Sequence, residues 1–262
     1  MKIGLYAYKT AGKRTTTAEQ GLKQILGEDG PCLDVLIAPE YTNIPLVNAR
    51  ALSTLDPEVL LIPGTTLTQA GHSGNILNRA YILKAGQGLT QEGEILTRKR
   101  LGVEPKLVTA DGEPITHYDK ISTCAVPGYS DADHAFGDIR PGFAKFTAGT
   151  KPCVFDYLGR RMGLEICRDN EMGFRKGHSG NRPVLKETMG QGLDLQIVLS
   201  CGLTAKPNAI KRDGYFACVD GGGDKPTANV YGPGAKLTDV IPIGADLVEK
   251  NDTLYIYNIP EK

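Results

Sequence analysis

The chain is short of histidine, of net charge and of long apolar runs, and each shortage removes a class of function. Its 262 residues include only four histidines, His72, His117, His134 and His178. All four lie in segments that read as loops. A nucleophile–histidine enzyme needs an imidazole held against its cysteine or serine, so that chemistry is disfavoured. His117, three residues before Lys120, is the one histidine close to other chemistry-bearing residues, and a loop histidine without a chemical role is its simpler reading.

The 30 basic residues equal the 30 acidic ones. A nucleic-acid partner would call for clustered positive surface, whereas the densest cationic run, Arg98-Lys99-Arg100, reads as a solvated loop. No window approaches the ~18 apolar residues of a membrane span. The first apolar stretch, Ile3 to Tyr8, is too short for a signal peptide. The expectation is a soluble, cytoplasmic protein with no nucleic-acid or membrane partner.

Cysteine pairing is missing too. The six cysteines, at 32, 124, 153, 167, 201 and 218, form no CxxC pair and no metal-ligand spacing. No metal or cofactor is implied, and in a reducing compartment most of these thiols read as small buried hydrophobes.

What is present is a succession of short apolar runs separated by amphipathic or polar stretches. Strands are expected at Ile3–Tyr8, Leu33–Ala38, Val59–Ile62, Asn75–Lys84, Lys151–Tyr157, Arg161–Cys167, Leu195–Ser200, Tyr215–Val219, Val240–Pro242 and Thr253–Ile259. Glu94–Thr97 is expected to pair with the strand at 75–84, and Leu158-Gly159-Arg160 reads as a hairpin turn. Helices are expected at Thr17–Leu26, Asn48–Leu55, Val184–Gly190 and Pro207–Asp213. Strands and helices alternate in the first and last thirds, with strand pairs between. That is an α/β pattern with a mixed sheet and no linker, hence a single domain over residues 1–262. The pentapeptide Gly-His-Ser-Gly-Asn occurs at 71–75 and at 177–181; without surrounding self-similarity it is a coincidence of two Gly-rich loops.

Three residues stand out, two at the ends of such runs and Lys120 after a short mixed one that ends in charge. Cys167 closes Met162-Gly163-Leu164-Glu165-Ile166 and precedes Arg168-Asp169-Asn170. A strand ending in polar residues exposes its last side chain at the carboxyl edge of the sheet, where α/β ligand sites collect. A thiol there, with nearby cations to lower its pKa, can attack a carbonyl; a core cysteine is the alternative. Glu40 follows Leu36-Ile37-Ala38-Pro39, as either a loop cap or a partly buried proton shuttle. Lys120, in Tyr118-Asp119-Lys120, is a surface lysine or, beside a thiolate, an oxyanion donor. Each is weak alone. Jointly they specify acyl transfer without histidine.

With these contexts the chain resembles the nitrilase superfamily, the carbon–nitrogen hydrolases. The resemblance rests on Ala38-Pro39-Glu40, on Tyr118-Asp119-Lys120 and on Gly163-Leu164-Glu165-Ile166-Cys167-Arg168-Asp169, with softer matches at Asn78–Leu83, Pro141-Gly142 with Phe146, and Gly192–Ser200. It implies an α-β-β-α sandwich of two mixed sheets flanked by helices, and a homodimer or larger assembly. It also implies roles: Cys167 as nucleophile, Glu40 as proton carrier, and Lys120 with the Arg168 backbone N–H as the oxyanion site. Reaction through a thioester, releasing ammonia from a small-molecule amide, follows from the same resemblance.

The departures bear on substrate. The usual Lys-x-His-Leu is here Lys120-Ile121-Ser122-Thr123, and the interval from Lys120 to Cys167 is long. Only Asp131 and Asp133 stand where a second glutamate is common. Asn170-Glu171-Met172-Gly173 replaces Arg-x-x-Pro-Glu. Aspartate at 169, rather than Trp-Glu-Asn after the cysteine, favours an amide or carbamoyl substrate over a nitrile. Asp131, Asp133, His134, Arg168, Glu171 and His178 suggest a polar one. A nitrile hydrolase, an acyltransferase on the same scaffold and an inactive binding homologue stay open.

Overall fold

Alternating burial along the apolar runs builds two mixed sheets that face each other. This computed structural model describes residues 1–10, 15–70, 75–84, 88–89, 95–96, 117–120, 152–170, 185–186, 191–202, 205–222, 225–233, 235–236, 240–245 and 252–261. The first sheet is ordered β15 (Val240–Ala245), β16 (Thr253–Asn258), β1 (Lys2–Ala7), β2 (Val35–Ile37), β3 (Leu60–Ile62). Strands β1, β2 and β3 run parallel, and β16 is antiparallel to both β1 and β15. The second is ordered β14 (Ala235–Lys236), β13 (Thr227–Gly232), β12 (Ile210–Asp220), β11 (Leu193–Ser200), β10 (Arg160–Ile166), β9 (Cys153–Tyr157). Its central strands β10, β11 and β12 are parallel, with antiparallel strands at both edges.

Residues of one parity meet between the sheets: Ile3, Leu5, Val35, Ile37, Leu60 and Ile62 from the first, Phe155, Met162, Leu164, Ile166, Leu195, Ile197 and Leu199 from the second. All are fully buried. At about 25 cal/mol per Å² of apolar surface removed from water, this seam is the main source of stability. The opposite parity of the first sheet, Tyr6, Leu36 and Leu61, is covered by Ala18, Leu22 and Ile25 of α1 (Thr15–Leu26) and Ala49 and Leu52 of α2 (Leu46–Ser53). Beyond the second sheet, Val154, Leu193 and Ala209 pack on Leu185. The described chain is therefore α/β with mixed sheets and few helices, none of them long and apolar enough to cross a membrane.

A third, antiparallel group continues the first sheet. It is ordered β4 (Thr65–Ala70), β5 (Asn75–Tyr81), β8 (His117–Asp119), and a bridge from Leu61 to Leu83 ties it to β3. A separate two-stranded ribbon pairs β6 (Gly88–Leu89) with β7 (Ile95–Leu96).

Most of the expected elements are present, with shifted ends. The turn between β9 and β10 has Leu158 at φ 48° and Gly159 at φ 71°, the two left-handed residues a type I′ hairpin needs. Three expectations fail. His117, expected in a loop, opens strand β8. Strand Glu94–Thr97 pairs not with 75–84 but with β6, and β5 takes β4 and β8 as neighbours instead. The helix expected at Pro207–Asp213 is absent: residues 205–208 are irregular and Ile210 onward is β12. Tertiary bonds override local preference there. The backbone N–H groups of Asn208 and Ala209 both donate to Gln196 Oε1 at 3.1 Å, and Leu193 N donates to Ala209 O at 3.1 Å. Of the expected helix at 184–190 only residues 185–186 are described, and they are helical.

Candidate active site

The loop after β2 buries a carboxylate. Pro39 ends the pairing, and Glu40 has no exposed surface. The chain then doubles back through Tyr41 (φ 64°) and Asn43 (φ 54°). The start of β4 holds it: Tyr41 N donates to Thr65 Oγ1 at 2.8 Å, and Asn43 N to Thr65 O at 2.8 Å. Thr42 Oγ1 donates to Pro63 O at 2.6 Å. Gly64 makes this closeness possible. Its φ is 86°, and a Cβ there would sit 2.2 Å from Pro39 O.

Lys120 arrives from β8. Strand alternation sends Tyr118 and Lys120 into the interior, 2 % and 3 % exposed. His117 and Asp119 take the other face, where Arg79 Nε and Nη2 donate to Asp119 at 2.7 and 2.9 Å. His117 Nε2 lies 3.9 Å from Asp119 Oδ2, and burial with the Arg79 charge lowers its pKa. His117 thus turns away from Lys120.

Asn78 of β5 joins the two charges. Its carbonyl accepts the Lys120 backbone N–H at 2.9 Å, and its Nδ2 donates to Glu40 Oε1 at 2.8 Å. Lys120 Nζ donates to that same oxygen at 2.8 Å. A fully buried ammonium–carboxylate pair is costly to assemble and is stabilised only when further hydrogen bonds satisfy it. The asparagine supplies one.

Cys167 begins a 3-10 turn, Cys167–Asn170, at the carboxyl end of β10. Its φ is 48°, a left-handed conformation that costs a non-glycine residue ~1–3 kcal/mol and persists only where the surroundings enforce it. Enforcement comes from two sides. Asp169 Oδ2 accepts the Tyr118 hydroxyl at 2.6 Å, which ties the turn to the lysine strand. Asn170 Nδ2 donates to Glu165 Oε2 at 2.9 Å and to Lys206 O at 3.0 Å.

Glu40 and Lys120 are therefore in direct contact, and the turn of Cys167 is one hydrogen bond from the strand that delivers Lys120. Cys167 and Tyr118 share the inter-sheet core. Arg168 contributes its backbone to the turn, whereas Asp131, Asp133 and Glu171 lie outside the described residues, as do His134 and His178. Among the described residues, no three His, Cys, Asp or Glu side chains gather as a metal site.

Sequence reasoning missed the supporting polar residues. Glu165 and Gln196 sit inside apolar strands, which is the signal: a fully buried polar side chain must have partners. Asn78, Tyr118, Asp169 and Asn170 stand within the motif contexts, but their hydrogen-bond partners lie on other elements and leave no local signal. Cys201, at the end of β11, is a further neighbour. Its sulfur accepts from Thr10 Oγ1 at 3.7 Å, and burial, with the Glu40 charge second, pushes its pKa up to about 11.

Comparison with solved structures bears on the architecture. An amidase from Nesterenkonia sp. AN1, a Glu-to-Gln variant with acrylamide added at its active-site cysteine, superposes with a TM-score of 0.53 over 99% of this chain and 93% of that one, at 15% identity. A CN-hydrolase superfamily protein from Xanthomonas campestris, with an arsenic adduct in its active site, gives 0.56 over 99% and 90%, at 13% identity. The chain has the carbon–nitrogen hydrolase fold. Glutamine-dependent NAD+ synthetase from Acinetobacter baumannii, in complex with adenosine diphosphate, matches with a TM-score of 0.54 at 15% identity. There the match covers 97% of this chain and 44% of the synthetase. No protein-family profile and no curated protein matches the sequence.

Proposed function

We propose that this carbon–nitrogen hydrolase fold carries a cysteine amidohydrolase that cleaves a small polar carboxamide or carbamoyl compound. The observation that carries the reading is the buried Glu40–Lys120 pair at 2.8 Å, whose lysine follows a strand that the Tyr118–Asp169 bond ties to the turn of a cysteine held at φ 48°. In this reading the Cys167 sulfur attacks the carbonyl carbon while Glu40 accepts the thiol proton. Lys120 Nζ and the Arg168 backbone N–H hold the oxyanion. Collapse of the tetrahedral species breaks the C–N bond, Glu40 returns the proton to nitrogen, and ammonia leaves a thioester on Cys167. Water then attacks the thioester, Glu40 taking its proton and passing it to the departing sulfur, to give the carboxylic acid and the free thiol.

A Glu-to-Gln variant of the amidase neighbour took up the acetamide moiety of fluoroacetamide at its active-site cysteine, which supports an amide-type ligand here. Asp131, Asp133, Arg168 and Glu171 belong to the polar pocket of this proposal. So does a fourth, helical layer from the segment around Leu185, which would complete an α-β-β-α sandwich, and a homodimeric or larger assembly in the cytoplasm. The test is fluoroacetamide labelling read by peptide mass mapping. The reading requires a stoichiometric adduct at Cys167 that K120A slows at least tenfold. An adduct spread over Cys32 and other thiols, with Cys167 unmodified, overturns it.

A further inference from the structure

Beneath the Cys167 turn lies a buried polar network that the reaction scheme does not use. Glu165, fully buried two residues before Cys167, accepts three hydrogen bonds. Leu185 N donates to Oε1 at 2.9 Å, and Asn170 Nδ2 and Gln196 Nε2 donate to Oε2 at 2.9 and 2.8 Å. Neither amide can turn to offer its oxygen instead. Asn170 Oδ1 already accepts Lys206 N at 2.7 Å while its Nδ2 also donates to Lys206 O. Gln196 Oε1 already accepts two backbone N–H groups, from Asn208 and Ala209. Backbone partners thus fix which end of each amide faces Glu165, and in both cases it is the donor end. The site matches a carboxylate anion. A protonated carboxyl would bring its own donor against donors.

We propose that Glu165, as the anion, is a positioning residue that clamps Asn170 and so holds the Cys167–Asn170 turn in its left-handed start. Its partner on the far side is the Tyr118–Asp169 bond. With both in place the thiol and the backbone N–H that follows it keep a fixed orientation; without Glu165, Asn170 keeps its bonds to Lys206 and Asn208 but loses its anchor on β10, the strand that leads into the turn. The catalytic part of this inference rests on Cys167 being the nucleophile.

Burial raises the Glu165 pKa to about 7, against the three donors and with the Asp169 charge adding to the rise. Other ionisable groups around the network are the Tyr118 hydroxyl bonded to Asp169, Asp194 on β11, which accepts Lys211 Nζ at 3.0 Å, and the exposed Lys186 and Lys206 on the covering segments. The clamp therefore loosens as pH falls through neutrality.

Two measurements on the full-length protein test it. Hydrogen–deuterium exchange of peptides spanning 164–170 reads the turn directly, and the iodoacetamide alkylation rate of Cys167 reads the thiol, both from pH 5.5 to 9. Wild type should show slower exchange (corrected for the intrinsic pH dependence) and faster alkylation (corrected for the ionisation of the thiol itself) above a transition near 7. In E165Q the transition should vanish, with exchange faster and alkylation slower by about tenfold at pH 8. N170A, which removes the other end of the bond, should reproduce both, so a misfolded E165Q does not decide the matter. Unchanged exchange and an unchanged pH profile in both variants overturn the clamp. If exchange responds while Cys167 is inert even in wild type, the clamp stands and the nucleophile assignment falls.

Discussion

The Tyr118 hydroxyl donates to Asp169 Oδ2 at 2.6 Å across 51 residues of sequence. This one bond connects the strand that ends in Lys120 to the turn that begins with Cys167. Both groups are buried, and burial with the Asp169 charge beside it pushes the Tyr118 pKa up, so the phenol stays a donor.

Removing that hydroxyl leaves a buried carboxylate short of a partner, which costs ~1–3 kcal/mol. Y118F should lower the denaturation midpoint by an amount in that range. It should also reduce turnover of any amide substrate more than it raises KM. Urea titration alongside steady-state kinetics checks both.

Asn78 tests the support of the ion pair. N78A takes away the 2.8 Å donor to Glu40 while leaving the backbone bond to Lys120 N. Hydrogen bonds to charged groups contribute ~1.5–3 kcal/mol, so kcat should fall roughly ten- to a hundredfold at 1.4 kcal/mol per decade. N78D, which sets a second carboxylate beside Glu40, should be worse. Kinetics of both variants decide it.

Glu165 makes stability and the clamp respond oppositely to pH. Its folded pKa is about 7 against an ordinary 4.5. Between those values the folded protein binds the proton and the unfolded chain does not, so this group's contribution is greatest at acid pH and is lost as pH rises to 7. The full span amounts to roughly 3 kcal/mol. E165Q should flatten that part of the stability profile between pH 5 and 7. Chemical denaturation of both proteins across the range measures it.

Gly64 should not tolerate a side chain. At φ 86°, with Pro39 O at 2.2 Å from an added Cβ, alanine strains the backbone and displaces the loop that carries Glu40. G64A should lose ~2 kcal/mol or more of stability and most activity, whereas G159A, in open space, should lose less. Thermal melts of the two variants give the comparison.

The strands were legible because period-2 burial writes itself into short apolar runs such as Leu195 to Ser200. Glu40 and Cys167 were legible because each sits where such a run stops, and Lys120 only through its Tyr118-Asp119-Lys120 context. Strands β4 and β8 were not: Thr65–Ala70 is largely polar, and His117–Asp119 is three residues long. The segment 207–213 read as a helix because nothing local announces that Gln196, distant in sequence, takes its backbone N–H groups. The same reason hid Glu165 and Asn170. Their purpose lies in hydrogen bonds that only the fold assembles.

The most direct test of the amidohydrolase reading is ammonia release from a panel of small carboxamides and carbamoyl compounds, comparing wild type with C167A. Release by the wild type from at least one polar amide, abolished in C167A, is the predicted result. A wild type silent across the panel, or a C167A variant that still releases ammonia, would contradict it.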